Sequence, residues 1–228
     1  MTEATGMMAF WLDIEADYRM EFCRWHNCEH ITERVGIPGF LGGRRYRGNG
    51  DAATFLVTYE TETPGVLASD AYLARLNDPT PWTREALAQF RNPARNIYRL
   101  IDAAGDKPAV AAPYLATIRF NLAGDDDTVI ARYRDKVLPA LAAGADVARA
   151  RLWQIDPEVS GMETAERRIY GGGPGEQRYL LLVELLTELS PYRPDTLPGL
   201  DAAQADLHRD IFTEVGWLDF ALDDWTAA

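Results

Sequence analysis

The chain is poor in the residues that most often carry covalent or metal chemistry. Among 228 residues there are 2 cysteines and 3 histidines, and Lys107 and Lys136 are the only lysines. Schiff-base catalysis is left with two candidates, both in polar surroundings. A cationic surplus is also missing: 23 Lys plus Arg face 35 Asp plus Glu, for a net charge of -12. That balance excludes a surface built to neutralise phosphates or to lie on anionic lipid, so neither nucleic acid nor a membrane is expected as partner. No apolar run approaches the roughly 20 residues that span a bilayer, and the opening residues Met1 to Gly6 form neither a basic nor an apolar leader; a cytoplasmic address is the expectation. Cys23 and Cys28 stand five positions apart on one predicted helix, about 140° around its axis. They cannot bridge while that helix is intact, and read as free thiols of a reducing compartment.

What is present is 47% hydrophobic sequence, enough for one ordinary core or two small ones without metal or disulfide. Met7–Ile14 is a short apolar run that reads as a buried strand. From Asp17 to Val35 the period becomes helical, placing Tyr18, Phe22, Trp25, Glu29 and Thr32 on one stripe, with Gly36 and Pro38 to end it. Phe40–Arg47 and Thr54–Tyr59 flank a turn-rich Gly48-Asn49-Gly50-Asp51 as a hairpin. A broken helix over Pro64–Leu76 and Pro81–Phe90 leads to a strand at Asn96–Ile101.

After an Ala, Gly, Asp and Pro-rich stretch the order repeats. Tyr114–Leu122 predicts a strand, Asp125–Ala143 a helix with an acidic first turn, and Val147–Ile155 and Tyr179–Leu186 two further strands. Leu200–Phe212 reads as a helix and Trp217–Leu222 as the last strand, and a glycine-rich insert fills Asp156–Gln177. The expected class is α+β: two ferredoxin-like βαββαβ repeats packed sheet to sheet as an intramolecular α/β barrel around a cavity. Residues 1–103 form the first half, 104–112 a linker and 113–228 the second half. Two independent domains are the competing arrangement.

Trp25-His26-Asn27-Cys28-Glu29-His30, followed by Glu33-Arg34, Ile37-Pro38-Gly39-Phe40 and Arg44-Arg45-Tyr46, resembles a pattern of the dimeric α/β-barrel superfamily, close to its EthD-like members. The resemblance covers about 30 residues. It implies a ferredoxin-like half-barrel with a ligand cavity, paired here within one chain, with a homodimer also possible. The superfamily hosts cofactor-free oxygenases, cyclases, isomerases, decarboxylating enzymes and haem proteins, so membership alone selects no reaction.

His26 and His30 are one turn apart with Glu29 beside them, the materials of a general acid or base near pH 7. The competing reading places both imidazoles on a solvated flank with Glu29 in an ion pair. Laying the two long helices together by Phe22 on Ile130, Trp25 on Tyr133 and Gly36 on Gly144 sets His26 on Arg134, Glu29 on Val137 and His30 on Leu138. The second copy lacks the polar set, which favours a function for it in the first. The spacing from His26 to His30 also fits the H-x-x-E-H of inverzincin proteases, but neither His208 nor any single carboxylate stands out as third ligand; no metal is assigned. Gly36, Gly39, Gly42 and Gly43 lead into a strand without a following Lys-Ser/Thr, as a turn and bulge do and a phosphate cradle does not.

Alternation puts Arg44 and Tyr46 on one strand face and Arg45 on the other, so Arg44 is the candidate to hold an anionic oxygen, or else to guard an edge strand. Trp11, Trp25, Tyr46 and Tyr98 are candidate walls for a planar ligand, with the insert as a lid. The expected function is a cofactor-independent lyase, isomerase or cyclase acting on an aromatic or polyketide-like compound. His30 would be the acid-base group, Glu29 its orienting partner, and His26 with Arg44 the stabilisers of negative charge. The alternatives are a non-catalytic carrier of the same ligand and a haem- or metal-dependent oxygenase.

Overall fold

The first apolar run is buried on both sides: Met7, Ala9 and Trp11 turn one way and Met8, Phe10 and Leu12 the other, all at most 7% exposed. A strand with two buried faces reads as continuous rather than alternating hydrophobicity, and here one face lines a barrel while the other meets helices. The computed structural model describes residues 3–49, 53–108, 110–188, 197–200 and 205–224.

Eight strands are described: β1 (Gly6–Asp13), β2 (Phe40–Gly48), β3 (Phe55–Thr61), β4 (Arg91–Gly105), β5 (Tyr114–Leu122), β6 (Val147–Ile155), β7 (Tyr179–Leu185) and β8 (His208–Asp223). They close into one antiparallel barrel in the order β1-β3-β2-β8-β5-β7-β6-β4, with β4 returning to β1. The strands thus form one closed barrel, as expected, and not two independent domains. β4 pairs with β1 through Gly6↔Arg99 and with β6 through Gly105↔Arg149, while β8 pairs with β5 and then with β2. These two strands, of 15 and 16 residues against 7 to 9 for the others, are long enough for each to pair with two neighbours along different parts of its length.

Helices cover the outer face. The first long helix runs as α1 (Arg19–Trp25), a π turn (His26–His30) and α2 (Ile31–Val35). A helix of the same build follows later in the chain as α5 (Asp126–Arg132), a π turn (Tyr133–Val137) and α6 (Leu138–Ala142). Asp125 caps α5 by accepting from Thr128 N. A 3-10 turn (Pro64–Ala68), α3 (Asp70–Asn77) and α4 (Pro81–Leu87) complete the first layer. Ser69 and Thr80 cap α3 and α4 with their hydroxyls. The insert folds into α7 (Pro157–Ser160) and α8 (Ala165–Tyr170), and α8 ends at Gly171 in the left-handed region, φ 70°.

The structure corrects three expectations. The Phe22-Trp25-Glu29-Thr32 stripe holds only to Trp25. The π turn bonds Ile31 N–H to His26 O and adds one residue, so His30, Ile31 and Arg34 turn inward while Thr32 is exposed. The two helices match one position away from the sequence alignment: π turn on π turn puts His26 on Tyr133, Glu29 on Lys136, His30 on Val137 and Arg34 on Leu141. The helix expected over Leu200–Phe212 is not formed from His208 onward, where β8 begins and Phe212 pairs with Arg119; residues 201–204 lie outside the described set.

Glycines set two close approaches. Gly39, at φ 89°, completes the turn after α2. A Cβ on Gly43 would lie 2.9 Å from Ile31 Cδ1 and 2.8 Å from Tyr59 Cε1, so its absence lets the π-turn helix settle on β2 and β3. The register shift between Phe40 and Gly42 is the expected bulge.

Candidate functional site

Between the first helix and the outer face of β1, β3 and β4 lies a cleft of about 30 Å³, walled by Phe10, Phe22, Trp25, Tyr59, Tyr72 and Phe90. His26, His30, Arg34 and Arg95 project into it, and the insert closes it from the far side with Thr164, Glu166 and Tyr170. Tyr170 packs on Phe10 and Phe90 at 5.1 and 6.3 Å between ring centroids. The roughly 30 Å³ available has room for water but not for an organic ring, so the cleft as it stands is too narrow for a substrate.

The histidines are buried rather than solvated, at 1% and 9% exposure, and differ in their partners. His26 is fully engaged: Arg45 Nη1 donates to its Nδ1 at 3.0 Å, which leaves the hydrogen on Nε2, facing Tyr59 OH at 3.3 Å. His30 Nδ1 is buried without a hydrogen-bond partner among the described residues. Its ring lies 4.4 Å from that of Trp25, tilted by 37°. Burial, then the charges of Arg45 and Arg34, hold His26 well below the ordinary imidazole pKa; burial, then Arg34 and His26, do the same for His30. Both rings are therefore neutral at pH 7.

Glu29 is placed outside the cleft. Its Oε1 accepts from Thr80 Oγ1 at 2.6 Å and Thr83 Oγ1 at 2.9 Å, and Thr83 Oγ1 in turn accepts from Trp25 Nε1 at 3.1 Å. The carboxylate thus fixes α4 and the indole beneath His30, and its hydrogen bonds among the described residues go to the two threonines rather than to either imidazole. The π turn is the cause, since it rotates Glu29 off the buried face.

The cleft holds two cations that sequence reasoning missed. Arg34, 1% exposed, binds Glu33 at 3.2 Å and forms a close ion pair with Glu166 of the insert. Arg95 on β4 donates to Tyr72 OH at 3.0 Å, and no carboxylate lies within ion-pair distance of it among the described residues. Burial pushes the Glu166 carboxyl above its ordinary range despite Arg34. The arginine of β2 that reaches the histidines is Arg45, not Arg44; it also bonds Asn27 Oδ1 at 2.8 Å and Asp219 at 2.7 Å. The signal for Arg34 was its place four residues beyond His30; for Arg95 and Glu166 there was none, because only the fold brings β4 and the insert to this helix.

The remaining expected residues face the other side of the sheet. Trp11, Tyr46 and Tyr98 belong to the barrel interior with Met7, Trp153 and Leu182. Arg44 shares that side, as alternation requires, and is held by Leu222 O at 3.2 Å and by Asp223. The expected single chamber is thus two spaces with the barrel wall between them. Trp25 alone of the proposed walls stands beside the histidines. Among the described residues no group of three His, Cys, Asp or Glu is placed to hold a metal ion, and no helix is long and apolar enough to cross a membrane.

A scan against family models and a search of curated proteins give no match. Solved structures do match over nearly the whole chain. An anthrone oxidase-like protein superposes with TM-score 0.62 at 6% identity, covering 97% of this chain and 94% of that one. A putative monooxygenase from Lactobacillus acidophilus gives 0.58 at 8%, covering 97% of each chain. A chlorite dismutase variant from Candidatus Nitrospira defluvii gives 0.52 at 12%, covering 96% and 93%. At such identities the likeness establishes the fold, that of the dimeric α/β barrels.

Proposed function

We propose that the cleft under the first helix is the active site of an oxidase or monooxygenase acting on a planar phenolic or enolisable aromatic compound, with His30 as its base. The observation that carries this reading is the buried, unpartnered Nδ1 of His30, a neutral imidazole facing aromatic walls and two arginines. The names of the similar structures side with oxygenase chemistry rather than with a lyase or isomerase.

His30 takes a proton from a phenol, an enol or an activated methylene. The anion left behind is stabilised by Arg95, whose hydrogen-bond partner is the Tyr72 hydroxyl rather than a carboxylate, and by Arg34. Such an electron-rich anion is the form that dioxygen oxidises; a methylene becomes a carbonyl, and the second oxygen atom leaves as water. Before any of this the insert withdraws, because a ring system does not fit in about 30 Å³. Tyr170 and the Arg34–Glu166 pair are then the plug and the latch.

Haem is the second reading, resting on the same nitrogen. His30 would hold the iron, the aromatic walls the macrocycle and the two arginines its carboxylates, and the group would supply a redox-active metal. Haem too requires the insert to open.

Dioxygen uptake over a panel of phenolic and enolisable substrates tests the main reading: turnover that His30→Val abolishes supports it. Saturable binding without uptake makes the protein a carrier. A Soret shift on adding hemin, lost in His30→Val, moves the redox step to haem.

We also read the halves as copies of one ferredoxin-like unit, joined after Gly105 where β4 ends. The support is a common strand order, β4-β1-β3-β2 and β8-β5-β7-β6, and a π turn at the same place in each.

A further inference from the structure

The roomiest cavity described is not the cleft but the mouth of the barrel, about 600 Å³, within the range of about 300–1,000 Å³ that small-molecule sites occupy. Alternation on β6 turns Arg149, Arg151 and Trp153 inward together. The two arginines are 4% and 3% exposed, and the Nε of each is buried with no hydrogen-bond partner among the described residues. Arg151 is cross-braced by Glu60 at 2.5 Å and Glu184 at 3.4 Å. Arg149 has one carboxylate partner, Glu3, whose side chain is 50% exposed and which precedes β1.

We propose that this mouth is a second binding site, for a small organic carboxylate gripped by Arg149 and Arg151. Charge selects the ligand class. Arg44, Lys107, Arg149 and Arg151 face Glu60, Glu184, Asp223 and Asp224 around the mouth, four charges of each sign, and Arg149 is met in addition by Glu3. A carboxylate that takes the place of Glu3 on Arg149 leaves this charge unchanged, whereas a phosphate dianion in the same place adds one negative charge. Beneath the charges Met7, Tyr46, Leu115 and Leu182 form an apolar floor that receives a hydrocarbon or aromatic body. Glu3 then holds the place of the incoming carboxylate and gives way to it. The site is separate from the histidine cleft: on β1, Met7 faces the mouth and Met8 the cleft.

Titration of benzoate, succinate and inorganic phosphate into the full chain, followed by calorimetry in a low-chloride buffer, tests the proposal. Benzoate is expected to bind saturably and about tenfold or more tighter than phosphate, and Arg149→Gln to weaken it by about tenfold or more. Glu3→Gln is expected to tighten binding, and His30→Val to leave it unchanged. Absence of saturable carboxylate binding, or phosphate binding equally well, overturns the site. So does an affinity that falls with His30→Val and not with Arg149→Gln, which would place benzoate in the cleft. If Arg149→Gln fails to fold, Glu3→Gln decides: an unchanged affinity rejects the proposal.

Discussion

The two long helices lie on the same barrel with a π turn at the same place, yet one covers a polar cleft and the other a plain core. In the second half Tyr133, Val137 and Leu141 stand where His26, His30 and Arg34 stand in the first, packed among Phe120, Val129, Tyr179 and Leu197. Phe120 and Tyr133 stack at 5.7 Å, and Tyr133 OH is 2.8 Å from His208 Nε2. Packing a helix of this shape on this sheet therefore needs no imidazole and no buried guanidinium on the helix itself, the one imidazole in contact being that of His208 on β8. The π turn is not itself a functional mark here, since both helices have it. What sets the first half apart is the side chains placed on that turn, and the insert that supplies Glu166 to one of them.

The largest effect should come from the buried ion pair. Glu166→Ala strands a guanidinium that is 1% exposed. It should cost about 3 kcal/mol, the lower end of what such losses cost because Glu33 remains, and thermal unfolding reads the loss directly. Leu141→Ala at the matching place should cost about 2–5 kcal/mol through its cavity. Replacing Arg34 and Glu166 together by Leu imports the arrangement of the second half, and should restore stability to near wild type while leaving no activity. A double variant as unstable as the single one would mean that the pair builds the first half rather than serving the cleft.

His30→Val makes the same exchange at the base. Val137 shows that this helix accepts the residue, so the melting temperature should hold or rise. Substrate turnover should fall by about 100-fold or more, the usual worth of a general base. Loss of folding would return His30 to the core.

Much of this architecture was readable from periodicity and punctuation. Tyr114–Leu122 and Val147–Ile155 were bounded to the residue, because both are buried strands ending at turn-forming residues. The site was readable only in part. His26 and His30 announce themselves by scarcity, but a 3.6-residue period cannot reveal an extra residue in one turn, so Glu29 was assigned to the wrong face. Arg95 and Glu166 lie 65 and 136 positions from His30 and meet it only through strand order and the folding of the insert. The Leu200–Phe212 segment shows a different limit: partnership with β5 decides its conformation from His208 onward, and local sequence does not contain that partner.

Acidity gives a smaller and graded handle. Both cleft imidazoles are held neutral by burial, so the unfolded chain takes up protons below about pH 6.5 that the native state refuses. Stability should be flat above that pH and fall below it, by about 1.4 kcal/mol per pH unit for each ring until its folded pKa is reached. His30→Val should remove one ring's share of the slope between pH 6 and 5, as read by denaturant midpoints. A slope unchanged in His30→Val would mean that this ring is protonated in the fold.

The finest test concerns what holds Trp25 against His30. Thr83 Oγ1 accepts from the indole and donates to Glu29, a chain without counterpart in the second half, where the position of Trp25 is Arg132. Thr83→Val keeps the shape and removes both bonds, leaving the indole N–H and one carboxylate lone pair unmatched. The expected cost is about 1 kcal/mol in stability, small against the ion pair. If Glu29 acts only through this chain, turnover should drop with the pH profile unmoved, since the proton-accepting nitrogen of His30 is untouched. A shift of the acid limb in Thr83→Val would instead tie Glu29 to the protonation of the imidazole, and restore to it the orienting role its place in the sequence first suggested.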